Sequence, residues 1–182
     1  MSRWQTHLRD RRGAAAAEFA LWTAALALPV LSTIDLATFA VRRLQVVQAG
    51  DAAAAAAWRV CDTAAKLPAT QNCPDLAQAV LAAAQATPLG EDVRLAEGSP
   101  QEGFFCVTAD GDLQPASATW TIGDAPASEP ADCSTVEAGS AARAARYISV
   151  TVTYDYAPLF GAASVVRLLP TRLTQTAWRR LA

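Results

Sequence analysis

The feature that most constrains this chain is an uncharged apolar run near its N-terminus, from Phe19 to Ile34. Only two ionisable residues, Glu18 and Asp35, interrupt the wider segment 14–40. A helix rises ~1.5 Å per residue and the hydrocarbon core of a bilayer is ~30 Å thick, so roughly 20 apolar residues span it. With its flanks the run reaches that length, and we predict a transmembrane helix over residues 14–41.

Basic residues mark the N-terminal side of this run. The first 12 residues hold four arginines against one acidic residue, Asp10, although Arg42 and Arg43 follow the run. Because basic residues concentrate on the cytoplasmic side of membrane helices, residues 1–13 are predicted to be cytoplasmic and the rest of the chain external. A core helix of a soluble protein is one alternative. A cleaved secretory signal peptide is another, although Thr38-Phe39-Ala40 is a poor cleavage site.

A glycine separates the basic segment from the apolar run. Residues 11–19 read Arg-Arg-Gly-Ala-Ala-Ala-Ala-Glu-Phe, with Gly13 five positions before Glu18. The segment resembles a prepilin processing site, in which a basic leader ends in Gly and the helix that follows has Glu as its fifth residue. The resemblance implies that a membrane prepilin peptidase cleaves between Gly13 and Ala14, so that Ala14 becomes the N-terminus.

The resemblance extends over about residues 11–57, through Leu28-Pro29, Arg42-Arg43-Leu44-Gln45 and an alanine-rich continuation. This stretch is similar to the TadE/TadG family of tight-adherence, type IV-like (Flp-type) pilus systems. The length favours TadE, whereas Ile34-Asp35-Leu36 and Gly50-Asp51-Ala52 favour TadG. The family implies a structural minor pilin or pseudopilin in the bacterial inner membrane, with its C-terminal domain in the periplasm or outside the cell. The implied partners are that membrane, the peptidase, and other pilin and pilus-assembly subunits.

Glu18 and Phe19 are the residues that the resemblance assigns to assembly. A charged side chain in the middle of a membrane helix costs about 2.5–3.5 kcal/mol, so Glu18 is expected to have a partner. The family implies that this partner is the α-amino group freed at Ala14, on the same or a neighbouring subunit. The alternative is that Glu18 lies in the headgroup region and stays hydrated.

Two further residues interrupt the apolar helix. Pro29 removes the amide that would bond to the carbonyl of Ala25, which predicts a weakened or kinked helix. Asp35 is predicted to be a solvated carboxylate at the membrane interface, at most loosely paired with Arg42 or Arg43.

Beyond the membrane run the helix is predicted to continue to Lys66, because the segment contains no proline. Its predicted buried face follows three- and four-residue spacings: Leu44, Val47, Ala54, Trp58 and Cys61. A second helix is predicted over residues 74–87, with Leu76, Val80, Leu81 and Ala84 on one side.

Strands are predicted late in the chain, where apolar and polar residues alternate. The clearest is Tyr147–Tyr156, and the others are Phe104–Thr108, Ala118–Ile122, Thr171–Trp178 and a doubtful Val93–Ala96. Gly123–Gly139 is predicted to be a loop, and Pro158–Pro170 an apolar connection that faces a membrane or a partner. These elements predict an α+β fold of the pilin-like kind, with a long N-terminal helix packed on a late antiparallel sheet.

Four cysteines follow the predicted membrane helix. In an oxidising compartment they would form two disulfides, and three pairings are possible. We favour Cys61 with Cys73, because this pair closes a short loop across a turn between helices, and Cys106 with Cys133, which joins a strand to the long loop.

The sequence offers little for catalysis or for cofactor binding. The single histidine, His7, lies in the leader, and no Cys-x-x-Cys pair is present, so we expect no metal site, no cofactor and no enzyme. Asp110-Gly111-Asp112 suits a tight turn better than a calcium site. The formal charge of −2 argues against nucleic acid as a partner. The alternatives are an unprocessed single-pass protein with an external ligand-binding domain and, less supported, a secreted enzyme.

Overall fold

The computed structural model describes residues 11–161 and 164–181 of the chain. Most of the predicted leader, up to residue 10, lies outside the described residues. The described chain forms two units: the N-terminal unit comprises residues 11–41 and 157–171, and the sheet unit comprises residues 42–156 and 172–181. The segment 157–171, which sequence analysis assigned to the external domain, thus groups with the apolar helix.

One helix, α1, runs from Arg11 to Cys61 and contains Pro29. It ends before Lys66, so the predicted continuation to that residue is wrong: Ala64–Lys66 is instead a short 3-10 turn. The Lys66 Nζ donates a hydrogen bond to the carbonyl of Val60 at 2.7 Å, which satisfies one of the carbonyls that a helix end leaves free. The sulfur of the final residue, Cys61, is bonded to Cys73.

In the sheet unit, two short helices follow α1: α2 spans Ala69–Asn72 and α3 spans Leu76–Gln85. Leu76, Val80 and Ala84 are buried along α3, as the spacing predicted. Six strands complete the unit: β1 Arg94–Leu95, β2 Gln101–Val107, β3 Leu113–Pro115, β4 Trp120–Thr121, β5 Ala145–Asp155 and β6 Arg172–Arg180.

The six strands form one antiparallel sheet around β5. β6 pairs with β5 along nine residues, from Tyr147↔Arg180 to Asp155↔Arg172. β2 and β1 pair with successive parts of the other edge of β5, and β3 and β4 extend β2. The predicted α+β fold, a long helix on a late antiparallel sheet with two disulfides, is confirmed, and it is consistent with a pilin-like fold.

The face of α1 that packs in the sheet unit matches the predicted one only in part, since Ala54 and Cys61 are buried as predicted. Leu44 and Trp58 are 64% and 45% exposed, so their predicted burial is wrong. The buried positions are almost all small: Val46, Ala49, Gly50, Ala53, Ala54, Ala57 and Cys61. A Cβ at Gly50 would lie 3.3 Å from Gln175 Cγ and 3.6 Å from Val152 Cγ2, so the helix backbone approaches β5 and β6 closely. Close approach, rather than large side chains, selects the buried face.

The strand predictions hold for β2, β5 and β6, with ends shifted by a few residues. Ile148, Val150 and Val152 are buried on β5 as the alternation predicted. The predicted strand Ala118–Ile122 is shorter in the structure, where β4 ends at Thr121 and Ile122 is exposed. Thr121 instead turns the chain, donating from its amide and its hydroxyl to Asp124. The loop predicted at 123–139 contains no helix or strand.

Candidate functional site

The segment with the processing motif lies in the first turns of α1. Gly13, Ala14, Glu18 and Phe19 are all helical and exposed. A Cβ at Gly13 would meet no atom within 4 Å. The side chains of this stretch are therefore open to a second molecule, and the glycine is not required by packing within the described chain.

Among the described residues, one helix, Gly13–Cys61, is long and apolar enough to cross a membrane. Every residue from Gly13 to Val30 is exposed, including Phe19, Leu21 and Trp22. Core helices of soluble proteins pass the same test of length and composition, but they are mostly buried. The exposure of this apolar segment on all faces favours a bilayer, or partner helices, as its surroundings.

Pro29 lies inside this apolar segment without ending the helix. Thr33 Oγ1 donates to the Pro29 carbonyl at 2.8 Å, and Thr23 Oγ1 donates in the same way to the Phe19 carbonyl. Such i−4 bonds satisfy the hydroxyl groups within the helix, so that they need no water, and they often bend the helix slightly. The polar side chains of the segment are therefore compatible with a lipid environment.

The structure assigns Asp35 a different environment from the predicted one. The side chain is fully buried. Its Oδ1 accepts the amide of Leu159 at 2.9 Å, and Oδ2 accepts the amide of Phe160 at 3.3 Å. The predicted solvated carboxylate is wrong, because a segment more than 120 residues later in the chain supplies backbone donors, as a buried charge requires.

Both favoured disulfides are formed. Cys61 is bonded to Cys73 and Cys106 to Cys133, and the described chain has no free cysteine. The first joins the end of α1 to the residue after α2, and the second joins β2 to the long loop. Both lie in the sheet unit.

A buried polar cluster, which sequence analysis did not identify, connects α2 with β2, β4 and β5 in the sheet unit. Glu102 on β2 is fully buried, and its Oε2 accepts both the amide and the hydroxyl of Thr70 on α2. Trp120 Nε1 donates to the same hydroxyl at 2.8 Å. Arg146 on β5 donates to Glu102 Oε1 at 3.3 Å and lies 4.9 Å from the centre of the Phe104 ring. The one sequence signal that could have indicated this cluster is Glu102 itself, an acid in a strand whose apolar and polar residues do not alternate regularly.

A small cleft lies beside this cluster in the sheet unit. It has a volume of about 260 Å³, and three arginines contribute to its lining, opposed by one acid, Glu129: Arg143, Arg146 and Arg180. This volume is at or below the ~300–1,000 Å³ of most small-molecule sites. The cleft suits a small anion better than a large ligand.

Three carboxylates at turns and strand ends of the described chain have lowered pKa values. Hydrogen bonds from Thr121 lower the pKa of Asp124, and those from Ser134 lower the pKa of Asp132. The hydrogen bond from Arg172 lowers the pKa of Asp155 at the β5–β6 ladder end. Asp124 and Asp155 are exposed and Asp132 is partly exposed, and no three His, Cys, Asp or Glu side chains within the described ranges converge in the way a metal ion requires. Asp110 and Asp112 flank the turn between β2 and β3, where Gly111 has φ +90°.

Comparison of the chain with protein-family models, with curated proteins and with solved structures found no match.

Proposed function

We propose that the protein is a structural minor pilin or pseudopilin of a tight-adherence, type IV-like pilus assembly system. A prepilin peptidase removes residues 1–13, α1 anchors the chain in the bacterial inner membrane, and the sheet unit lies in the periplasm or outside the cell. The protein acts through assembly with other subunits and not through catalysis.

The observation that carries this proposal is the character of α1. Its first half is apolar and exposed from Gly13 to Val30, and its second half presents a face of small residues that packs in the sheet unit. One continuous helix that serves as membrane or fibre contact at one end and as core at the other is the general plan of pilin-like proteins. The motif Gly13-Ala14 with Glu18 stands at the start of that helix.

The two disulfides support the external side for the sheet unit. Disulfides persist in the periplasm and outside the cell and are rare in a reducing cytoplasm. The arginines before the run agree with this orientation, since they belong on the cytoplasmic side.

The alternative is an unprocessed single-pass protein whose sheet unit binds a ligand. The cleft lined by Arg143, Arg146 and Arg180 favours this alternative, because it offers positive charge in a concave surface. Processing distinguishes the two functions, since a ligand-binding protein needs no cleavage at Gly13.

The test is the intact mass and N-terminal sequence of the protein recovered from membranes of cells that possess or lack a prepilin peptidase. We expect the chain to begin at Ala14 in the first cells and to retain its leader in the second. A chain that keeps its leader in both would overturn the proposal and leave the unprocessed alternative.

Two substitutions at one position provide the control. Gly13→Phe places a bulky ring at the cleavage site and is expected to block processing. Gly13→Ala adds one methyl group to a position with nothing within 4 Å, so we expect it to be cleaved more completely than Gly13→Phe. Equal cleavage of the two variants would show that residue size at Gly13 does not matter to the peptidase.

A further inference from the structure

We propose that the described parts of the segment 157–171, residues 157–161 and 164–171, form a second membrane contact, which inserts exposed apolar side chains into the outer leaflet of the bilayer that α1 crosses. This inference rests on the membrane anchoring in the proposed function, and it adds a lipid-binding surface to it.

The composition of the segment is that of a lipid contact. Its 15 residues include one charged residue, Arg167, and no acid. Three apolar side chains in it are largely exposed: Leu159 at 66%, Val165 at 57% and Leu168 at 80%. Ser164 accepts the amide of Val166 and so begins the short 3-10 turn Val165–Leu168, which carries two of the three. An ordered turn that exposes large apolar groups together is costly in water and favourable in a bilayer.

Asp35 fixes the depth of the segment relative to α1. Asp35 lies 22 residues after Gly13, which corresponds to about 33 Å along a helix at ~1.5 Å per residue. That distance matches the ~30 Å hydrocarbon core, so Asp35 lies at its outer boundary when Gly13 lies at the inner one. The amides of Leu159 and Phe160 bind both carboxylate oxygens of Asp35 and hold the segment at the same depth.

The neighbours of Asp35 favour lipid over a protein partner as the occupant. Ile34 and Leu36, on either side of Asp35, are both exposed, as are Leu159, Val165 and Leu168 of the segment, whereas Val166 is buried. The residues that are buried or partly buried at this end of the apolar helix recur at three- and four-residue spacings along one face: Leu31, Ser32, Asp35, Thr38 and Phe39. The exposed apolar surface of the segment therefore continues the lipid-facing surface of α1 at the same level of the bilayer.

The test measures the depth of a label on the segment. The native cysteines are all in disulfides, so Leu168→Cys provides one reactive thiol for an environment-sensitive nitrobenzoxadiazole label. The full chain is reconstituted in vesicles of phosphatidylcholine and phosphatidylglycerol. We expect blue-shifted emission and at least a twofold quenching by lipids brominated on their acyl chains. The matched control is Val107→Cys on β2, 57% exposed, whose label we expect to remain unquenched.

A second pair of variants tests the role of Asp35. Asparagine offers one acceptor oxygen where aspartate offers two, so Asp35→Asn leaves one of the two amides unpaired. In the Leu168→Cys background, we expect Asp35→Asn to reduce the quenching by at least half. Asp51→Asn changes an exposed carboxylate on the same helix and is expected to leave the quenching unchanged.

Three outcomes would overturn the inference. In the first, the Leu168 label stays in water although the protein floats with the vesicles and is cleaved normally at Gly13 in cells. This result would contradict the second membrane contact and leave the proposed function intact. A label that responds to protein density and not to brominated lipid points to contact between copies of the chain. A protein that does not float with the vesicles removes both the anchor and the inference.

Discussion

Glu102 Oε2 accepts hydrogen bonds from both the amide and the hydroxyl of Thr70, each at 3.0 Å. The threonine hydroxyl donates to Glu102 and accepts from Trp120 Nε1, so each of its hydrogen-bonding roles is filled. Thr70, Glu102 and Trp120 thus connect α2 with β2 and β4 in the sheet unit. The described chain contains no buried side-chain nitrogen or oxygen without a hydrogen-bond partner, which makes each member of the cluster sensitive to substitution.

Thr70→Val tests this cluster with little change in shape. It removes the hydroxyl, takes one donor from buried Glu102 and leaves Trp120 Nε1 without its acceptor. We expect the free energy of unfolding to fall by about 1–3 kcal/mol, the usual effect of unsatisfied buried groups. Urea unfolding of the detergent-solubilised protein, followed by circular dichroism, measures it. Thr135→Val at an exposed loop position is the control, and equal midpoints for the two variants would contradict the cluster's role.

Gly50 tests the close packing of α1 in the sheet unit. Gly50→Leu requires space that Gln175 and Val152 occupy, and overpacking of this kind costs about 1–3 kcal/mol. The one tight contact of Gly50→Ala is with the flexible Gln175 side chain at 3.3 Å, Val152 lies at an ordinary contact distance, and alanine gains about 1 kcal/mol of helix propensity. We therefore expect thermal unfolding near the wild-type temperature for alanine and well below it for leucine. A leucine variant as stable as the alanine variant would mean that α1 is not held this closely.

Each disulfide is expected to contribute separately to the free energy of unfolding of the sheet unit. Peptide mapping without reduction is expected to find Cys61 linked to Cys73 and Cys106 linked to Cys133, with no free thiol. The loops span 12 and 27 residues, for which chain entropy gives about 3 and about 3.5 kcal/mol. Replacing both cysteines of one pair by serine measures each contribution in denaturant. Four alkylatable thiols in the unreduced protein would place the sheet unit in the cytoplasm.

Glu18→Ala is expected to separate processing from assembly. Removing the carboxylate makes insertion of the helix more favourable, by up to about 2.5–3.5 kcal/mol, so cleavage after Gly13 continues. Assembly loses the proposed partner of the Ala14 amine, and we expect the protein in the sheared pilus fraction to fall at least fivefold on immunoblots. Asp51→Ala, an exposed acid further along α1, is the control. Normal assembly of Glu18→Ala would contradict the pairing.

The sequence predicts the elements better than their contacts. The strand β5 could be predicted because bulky and polar residues alternate along it, as one buried sheet face requires. The buried face of α1 could not, because where most residues are alanine the few large ones dominate the apparent periodicity. Leu44 and Trp58 therefore indicated a face, while Ala49, Gly50 and Ala53 form it.

The polar contacts were missed for a different reason. Asp35 meets Leu159 across 124 positions, and Glu102 meets Arg146 across 44. Neither pair has a local spacing that reveals it, since the partners come together only when the whole chain has folded. Asp35 accepts from two backbone amides, and every residue except proline carries such an amide. No residue type in the sequence could therefore have predicted this contact.

The positions of the two disulfides also bear on how the chain responds to tension. A subunit in a fibre is pulled at one end while its domain is held at the other, and an unfolding chain lengthens by up to about 3.4 Å for each residue released. The disulfides Cys61–Cys73 and Cys106–Cys133 join residues 12 and 27 positions apart, and the chain between each pair cannot be released in this way. In the proposed function, about 130 Å of potential extension is therefore locked by covalent bonds, and a subunit that yields under load lengthens by that much less.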